Sequence, residues 1–300
     1  VTVPASRIEL DGPLDLARTL FPLRRGHRDP VVRLGERAAT LALRTPAGGA
    51  LLRLVQTGAT TVAAEASGPG GEAALALAPG IVGAEDDPAA FAPTQEPLAT
   101  LARRLRGVRL TRAPLLPVLL AAVLEQKVTG REAREGWRGL VFATSEPAPA
   151  GEGLWLPPDP ERAVTLPSFA FHRAGIDGTR ARTVRIVAER AARIEREARE
   201  DPASFRERLE RLPGIGPWTS AEAARLALGD PDAVSVGDYH LPNVVAWVLA
   251  GEPRADDARM LALLEPYLGQ RGRVQLLLEA SGAKAPAYGP RADGRSIARI

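Results

Sequence analysis

Two features of this 300-residue chain have residue types that do chemistry. One is the stretch Leu212-Pro213-Gly214-Ile215-Gly216-Pro217-Trp218-Thr219-Ser220. The other is the carboxylate Asp238 within Ser235-Val236-Gly237-Asp238-Tyr239-His240. Gly214 and Gly216 flank one apolar residue between a charged helical run, Phe205 to Arg211, and a second helix that Pro217 can open as its first residue. This spacing predicts a helical hairpin over residues 205–228. Glycines accept positive φ and let another backbone come close. The amides of Gly214, Ile215 and Gly216 can therefore point together at the start of the second helix, beside Thr219, in a concave cluster suited to an anion. Phosphate contacts position a protein without reading sequence, so the expected ligand is DNA backbone of any sequence. The plainer alternative is an ordinary turn between two helices.

Asp238 stands just before an expected helix, Tyr239 to Leu249. A carboxylate there can cap the helix, or it can place negative charge beside a reacting group. Read alone, the residue leaves both roles open.

Taken together, Leu-Pro-Gly-Ile-Gly-Pro-Trp-Thr, the apolar Ala221, Ala224, Leu226 and Leu228 after it, and an Asp 22 residues past Gly216 resemble the helix-hairpin-helix DNA glycosylases, in particular the AlkA-like alkylpurine glycosylases. The resemblance covers about 200 residues from Leu98 onward, and more loosely what precedes them. It implies removal of a damaged base through a sugar with oxocarbenium character, with Asp238 as the catalytic carboxylate that stabilises the developing cation. Bifunctional relatives carry a nucleophilic lysine two residues after the second hairpin glycine. Here that place is Trp218, so no Schiff base forms and a monofunctional enzyme without abasic-site lyase activity is expected.

Trp218 and Tyr239 are the aromatics expected to line a pocket for a cationic alkylated purine; packing in the core is the alternative for both. Gln126 in Leu124-Glu125-Gln126-Lys127-Val128-Thr129-Gly130 matches the glutamine of the family's Gly-Gln-x-Val-Ser segment. The following residue, an apolar wedge in relatives, is Lys127, which instead suits a phosphate or a solvated helix end. Glu222 and the neighbourhood of Ala280 lack aromatics found in some relatives, so the pocket is expected to be less aromatic. His240 and Asn243 lie next to Asp238, where orienting water or backbone and hydrogen bonding at a helix start are both open. Arg271 and Arg273 resemble a basic helix start that meets phosphate; a solvated charged turn is the alternative. Hairpin carbonyls in relatives can hold Na⁺ or K⁺, here Leu212 and Gly214; no organic cofactor is implied.

The elements that must position these residues follow from periodicity. Short extended runs at Val31–Leu34, Ala39–Arg44, Leu51–Gln56 and Thr61–Glu65, separated by turn formers, predict an antiparallel meander, with a covering helix at Leu14–Leu20. Glycine, proline and acidic residues accumulate between Gly68 and Pro97, which places a boundary near residue 90. Beyond it nine helical periods follow, among them Leu115–Val128, Arg131–Val141, Thr179–Arg199, Pro217–Leu228 and Arg273–Glu279. The fold class is therefore α+β: an antiparallel sheet domain with helix cover over 1–90, then a helical domain over 91–300. That the second part is two-lobed with a cleft is implied by the resemblance.

Composition limits the rest. There is no cysteine and there are only three histidines, which excludes a thiol nucleophile, disulfides and a Cys-ligated cluster and disfavours a transition-metal site. The net charge is +3 and the pI is near 9.7. Lys127 and Lys284 are the only lysines. The arginine bias suits phosphate, although a GC-rich genome gives the same bias. With no long apolar run and no leader pattern, a cytoplasmic, nucleoid-associated monomer acting on double-stranded DNA is expected. Two other readings stay open: a non-catalytic binder of damaged DNA, and a glycosylase for oxidised or mismatched bases. The Gly-Pro-rich tail Ala283–Ile300 gives no functional signal.

Overall fold

The computed structural model describes residues 2–149 and 153–286; most of the tail, from 287, lies outside them. Five strands, β1 (Thr2–Glu9), β2 (Val32–Leu34), β3 (Ala38–Thr45), β4 (Gly48–Gln56) and β5 (Thr61–Ser67), form one antiparallel sheet in the order β1-β5-β4-β3-β2. The β3–β4 hairpin pairs Ala39 with Leu54, Leu41 with Leu52 and Leu43 with Ala50. Residues 39–43 are all buried, so the middle of the sheet is covered on both faces.

The short helix Leu16–Leu20 packs on β3, with Asp15 capping it through the Arg18 amide at 3.0 Å. A second helix, Gly71–Ile81, packs on β1, β4 and β5. Sequence reading missed this second helix and β1. The helix lies where glycines and prolines accumulate, including Pro79 inside it, and its packing face is mostly alanine.

Beyond it the chain is helical. The expected helix Thr179–Arg199 is two, Gly178–Glu189 and Ala191–Glu200, which meet at Arg190. The unanticipated short helices Pro160–Thr165 and Ser168–Arg173 precede them.

The buried side chains form two apolar masses. One runs from the sheet into the helices of residues 113–233 without a break, joining Leu41 and Leu52 to Leu119, Trp137, Val184 and Ala224. The other gathers Phe91, Leu98 and Leu110 with Val245, Met260 and Leu277. The helical part therefore has two lobes, and the second is built from residues 91–110 together with 234–278. A buried polar cluster ties that lobe back to the first 90 residues. Arg109 donates to the carbonyls of Gly83 and Asp86 at 3.1 and 2.9 Å, and Arg273 forms an ion pair with the Asp86 carboxylate.

Candidate active site

The hairpin consists of the helices Phe205–Glu210 and Pro217–Ala227. Its two glycines do different work. Gly214 has φ +88, and a Cβ there would stand 2.1 Å from the Thr183 hydroxyl, so both conformation and space require glycine. Gly216 is extended at φ −116, and a Cβ would meet nothing within 4 Å. Nothing inside the protein requires glycine at 216; the bare backbone faces open space. The Ile215 amide, expected to join an anion cluster, instead donates to the Leu212 carbonyl at 3.1 Å, and Ile215 itself is buried. The amides of Gly214 and Gly216 have no acceptor among the described residues.

Gln126 clamps the loop after helix Leu115–Glu125 onto the hairpin. Its amide donates to the Gly214 carbonyl at 2.9 Å and to the Thr219 hydroxyl at 2.8 Å. Two expectations change as a result. Thr219 is 2% exposed, so its side chain supports the hairpin from inside and does not reach a backbone phosphate. The carbonyls of Leu212 and Gly214 each already carry an N–H donor, so a monovalent cation there would share each oxygen with a hydrogen bond. Held by this clamp, Lys127 is exposed at the loop tip in a left-handed conformation, φ 52, unusual for a residue with a side chain.

Asp238 is half-buried, and both its oxygens are engaged. Oδ1 accepts the amides of His240 and Leu241 at 2.7 and 2.8 Å at the start of helix Leu241–Ala250, and Oδ2 accepts the indole N–H of Trp218 at 2.9 Å. Capping and proximity to the hairpin thus occur together. Asp257 steadies the same loop by accepting the Gly237 amide with both oxygens at 3.1 Å. Tyr239 is 86% exposed and stands edge-on to His240 at 4.8 Å, so it is no core aromatic. The Asn243 carbonyl accepts the Ala255 amide at 2.9 Å, a structural engagement that takes it away from water.

Arg271 and Arg273 are corrected by the structure. Asp232 grips Arg271 through its guanidinium and its backbone amide. Arg273 is 3% exposed, and its guanidinium is shared between Asp86 and Gln270. A phosphate could reach Arg273 only by opening the core.

Sequence reasoning missed a charged network under the site. Arg225, 1% exposed, donates to Glu222 at 2.8 and 3.0 Å and to Glu279 at 3.0 Å. The Ser235 hydroxyl and the Gln275 amide also donate to Glu222, and Gln275 donates to Glu279 at 2.8 Å. Burial would raise the Glu222 carboxyl, but Arg225 and the Ser235 hydroxyl hold it below its ordinary range. Glu279 lies within the field of Asp238. The i, i+3 pair Glu222/Arg225 and the i, i+4 pair Gln275/Glu279 are visible in the sequence; that they meet is not.

An N-terminal antiparallel sheet, two helical lobes and a hairpin facing a carboxylate define a class: the chain has the fold of the helix-hairpin-helix DNA glycosylases. Among solved structures it is similar to a 3-methyladenine DNA glycosylase from Archaeoglobus fulgidus, with a TM-score of 0.75 at 16% identity over 91% of this chain and 96% of that one. MBOgg1 in complex with a low-affinity DNA ligand gives 0.74 at 14% identity, over 93% and 95%. The apo form of the 8-oxoguanine glycosylase/lyase from Clostridium acetobutylicum gives 0.62 at 12% identity, over 83% and 98%. No protein-family model and no curated protein matches the chain by sequence.

Proposed function

We propose that the protein is a monofunctional DNA glycosylase that flips alkylated purines of the 3-methyladenine class out of double-stranded DNA and hydrolyses their N-glycosidic bond, the opening step of base excision repair. The observation that carries this reading is the hydrogen bond from Trp218 to Asp238. It holds a carboxylate beside the hairpin and puts an indole where a Schiff-base enzyme needs an amine.

In the reaction, the bond between C1′ and the base nitrogen breaks and its electron pair leaves on the base. An alkylated purine is cationic, so it departs neutral without a proton from the protein. Positive charge develops on the sugar, where Asp238 opposes it, and water then adds to C1′ and loses a proton. Such electrostatic stabilisation is worth a few kcal/mol, about 10²–10³-fold in rate. Open space at Gly216 suits close approach of a DNA backbone, and Tyr239 is placed to stack on an extruded base. No described helix is long and apolar enough to cross a membrane.

The test is base release from duplexes that each carry one defined lesion. Strand breakage only after alkali, with alkylated purines and not with 8-oxoguanine or mismatches, supports the reading. Breakage without alkali overturns the monofunctional assignment. Binding without release from any lesion replaces catalysis with damage recognition.

A further inference from the structure

A second basic site lies away from Asp238, where the loop 24–31 runs along helix Gly130–Thr144. Three contacts fix this loop. Arg25 forms an ion pair with Glu125 at 3.0 Å, next to the Lys127 loop. Trp137 donates to the buried Asp29 at 3.2 Å, and the Trp155 amide donates to the Pro30 carbonyl at 2.7 Å. Between loop and helix is a recess of about 320 Å³, bordered by Arg24, Arg28, Arg138, Phe142 and Trp155.

Three of the cations that line this recess have no carboxylate of their own. Most other arginines of the fold are tied to carboxylates, whereas Arg24, Arg28 and Arg138 have no ion-pair partner among the described residues. The Nε–H groups of Arg24 and Arg138 are buried and lack any acceptor. The same holds for Arg208 and Arg225, so what sets the recess apart is guanidinium groups without a carboxylate, which favour an anion. The one carboxylate nearby is already committed, since Asp29 accepts the amides of Arg25, Val31 and Val32 as well as the Trp137 indole. The guanidinium of Arg138 lies 5.9 Å from the Phe142 ring, and Phe142 packs edge-on to Trp155 at 5.1 Å. Basic groups interleaved with aromatics are the surface that nucleic acid uses.

The recess lies along the helix that follows the Lys127 loop. Helix Gly130–Thr144 starts three residues after Lys127 and presents Arg131, Arg134 and Arg138 along its length. At a rise of about 1.5 Å per residue, Arg138 is about 12 Å along the helix from its start.

We infer that this recess binds a backbone phosphate of the DNA duplex. The inference deepens the proposed function and rests on its DNA-binding part, not on its chemistry.

The test is equilibrium binding of the full chain to a duplex with an abasic site, measured by fluorescence anisotropy over a range of salt concentrations. Each phosphate neutralised contributes about 0.9 to the slope of log K against log salt. The double variant Arg28→Gln/Arg138→Gln is expected to lower the slope by about one. Arg28→Gln alone, at an exposed position, serves if the double variant melts early. An unchanged slope in a folded variant overturns the inference. So does tight binding of inorganic phosphate in wild type with no effect of the variant on DNA, which would make this a free-phosphate site. Base release and the slope are separate readouts: if no lesion is excised but the slope falls, the recess stands and the catalytic reading fails.

Discussion

The indole N–H of Trp218 and the Oδ2 atom of Asp238 are 2.9 Å apart, and this hydrogen bond joins the start of the second hairpin helix to the loop that follows it by 20 residues. Oδ1 of the same carboxylate is held by two backbone amides. The side chain therefore has no freedom to turn away from the hairpin.

The two ends of this contact separate charge from placement. Asp238→Asn keeps the shape and removes the charge, and base release is expected to fall by about 10²–10³-fold with DNA affinity retained. Trp218→Phe keeps the charge and loses the donor, with an expected loss of about tenfold, or 1.4 kcal/mol. Single-turnover kinetics on a lesion-bearing duplex measures both; equal losses would show that the indole matters for more than position.

The hairpin glycines give a contrasting pair. Gly214→Ala forces a side chain into positive φ and onto Thr183, and is expected to destabilise the fold by about 1–3 kcal/mol. Gly216→Ala has room and ordinary backbone, so stability should hold to within about 0.5 kcal/mol while DNA affinity drops. Urea unfolding and anisotropy on the two variants separate the outcomes.

Removing the cation from the network beneath the site leaves carboxylates facing each other. Arg225→Met strands Glu222, whose side chain is 12% exposed, and is expected to cost about 3–5 kcal/mol. Adding Glu222→Gln to it should recover part of that loss. A double-mutant cycle by urea denaturation checks the coupling.

Stability on the acid side follows from Asp232. Burial would raise its carboxyl, but the Arg271 side chain, which donates to it, holds it below the ordinary value of about 3.9. The folded-state pKa is thus the lower one, so the contribution is complete above about pH 4 and is lost as pH falls through the folded value. Arg271→Gln should lower unfolding stability at pH 7 and leave it nearly unchanged near pH 2. A loss of the same size at both pH values would mean that packing, not charge, explains the pair.

Local patterns that the sequence carries openly led to the right elements. The short extended run Ala39–Arg44 and turn residues at Pro46–Gly49 place the β3–β4 hairpin, and Pro217 after Gly216 places the second hairpin helix. Long-range pairing was illegible. Arg273 reads as a surface cation because its partner Asp86 is 187 residues away, and Thr219 reads as a ligand group because Gln126 is 93 residues away. The free arginines around Arg138 were hidden for the same reason: a chain rich in arginine does not show which of them lack a carboxylate.

The unbroken apolar mass that joins the sheet to residues 113–233 also says where such a protein can be cut and rejoined. A seam at residue 90, where composition changes, would split Leu41 and Leu52 from the helices they pack with. The chain passes between the two masses at 84–91, at 110–113 and again at 233–234. Chimaeras with other chains of this fold should therefore exchange both segments of the second lobe together, 91–110 and 234–278, and keep sheet and hairpin lobe from a single parent.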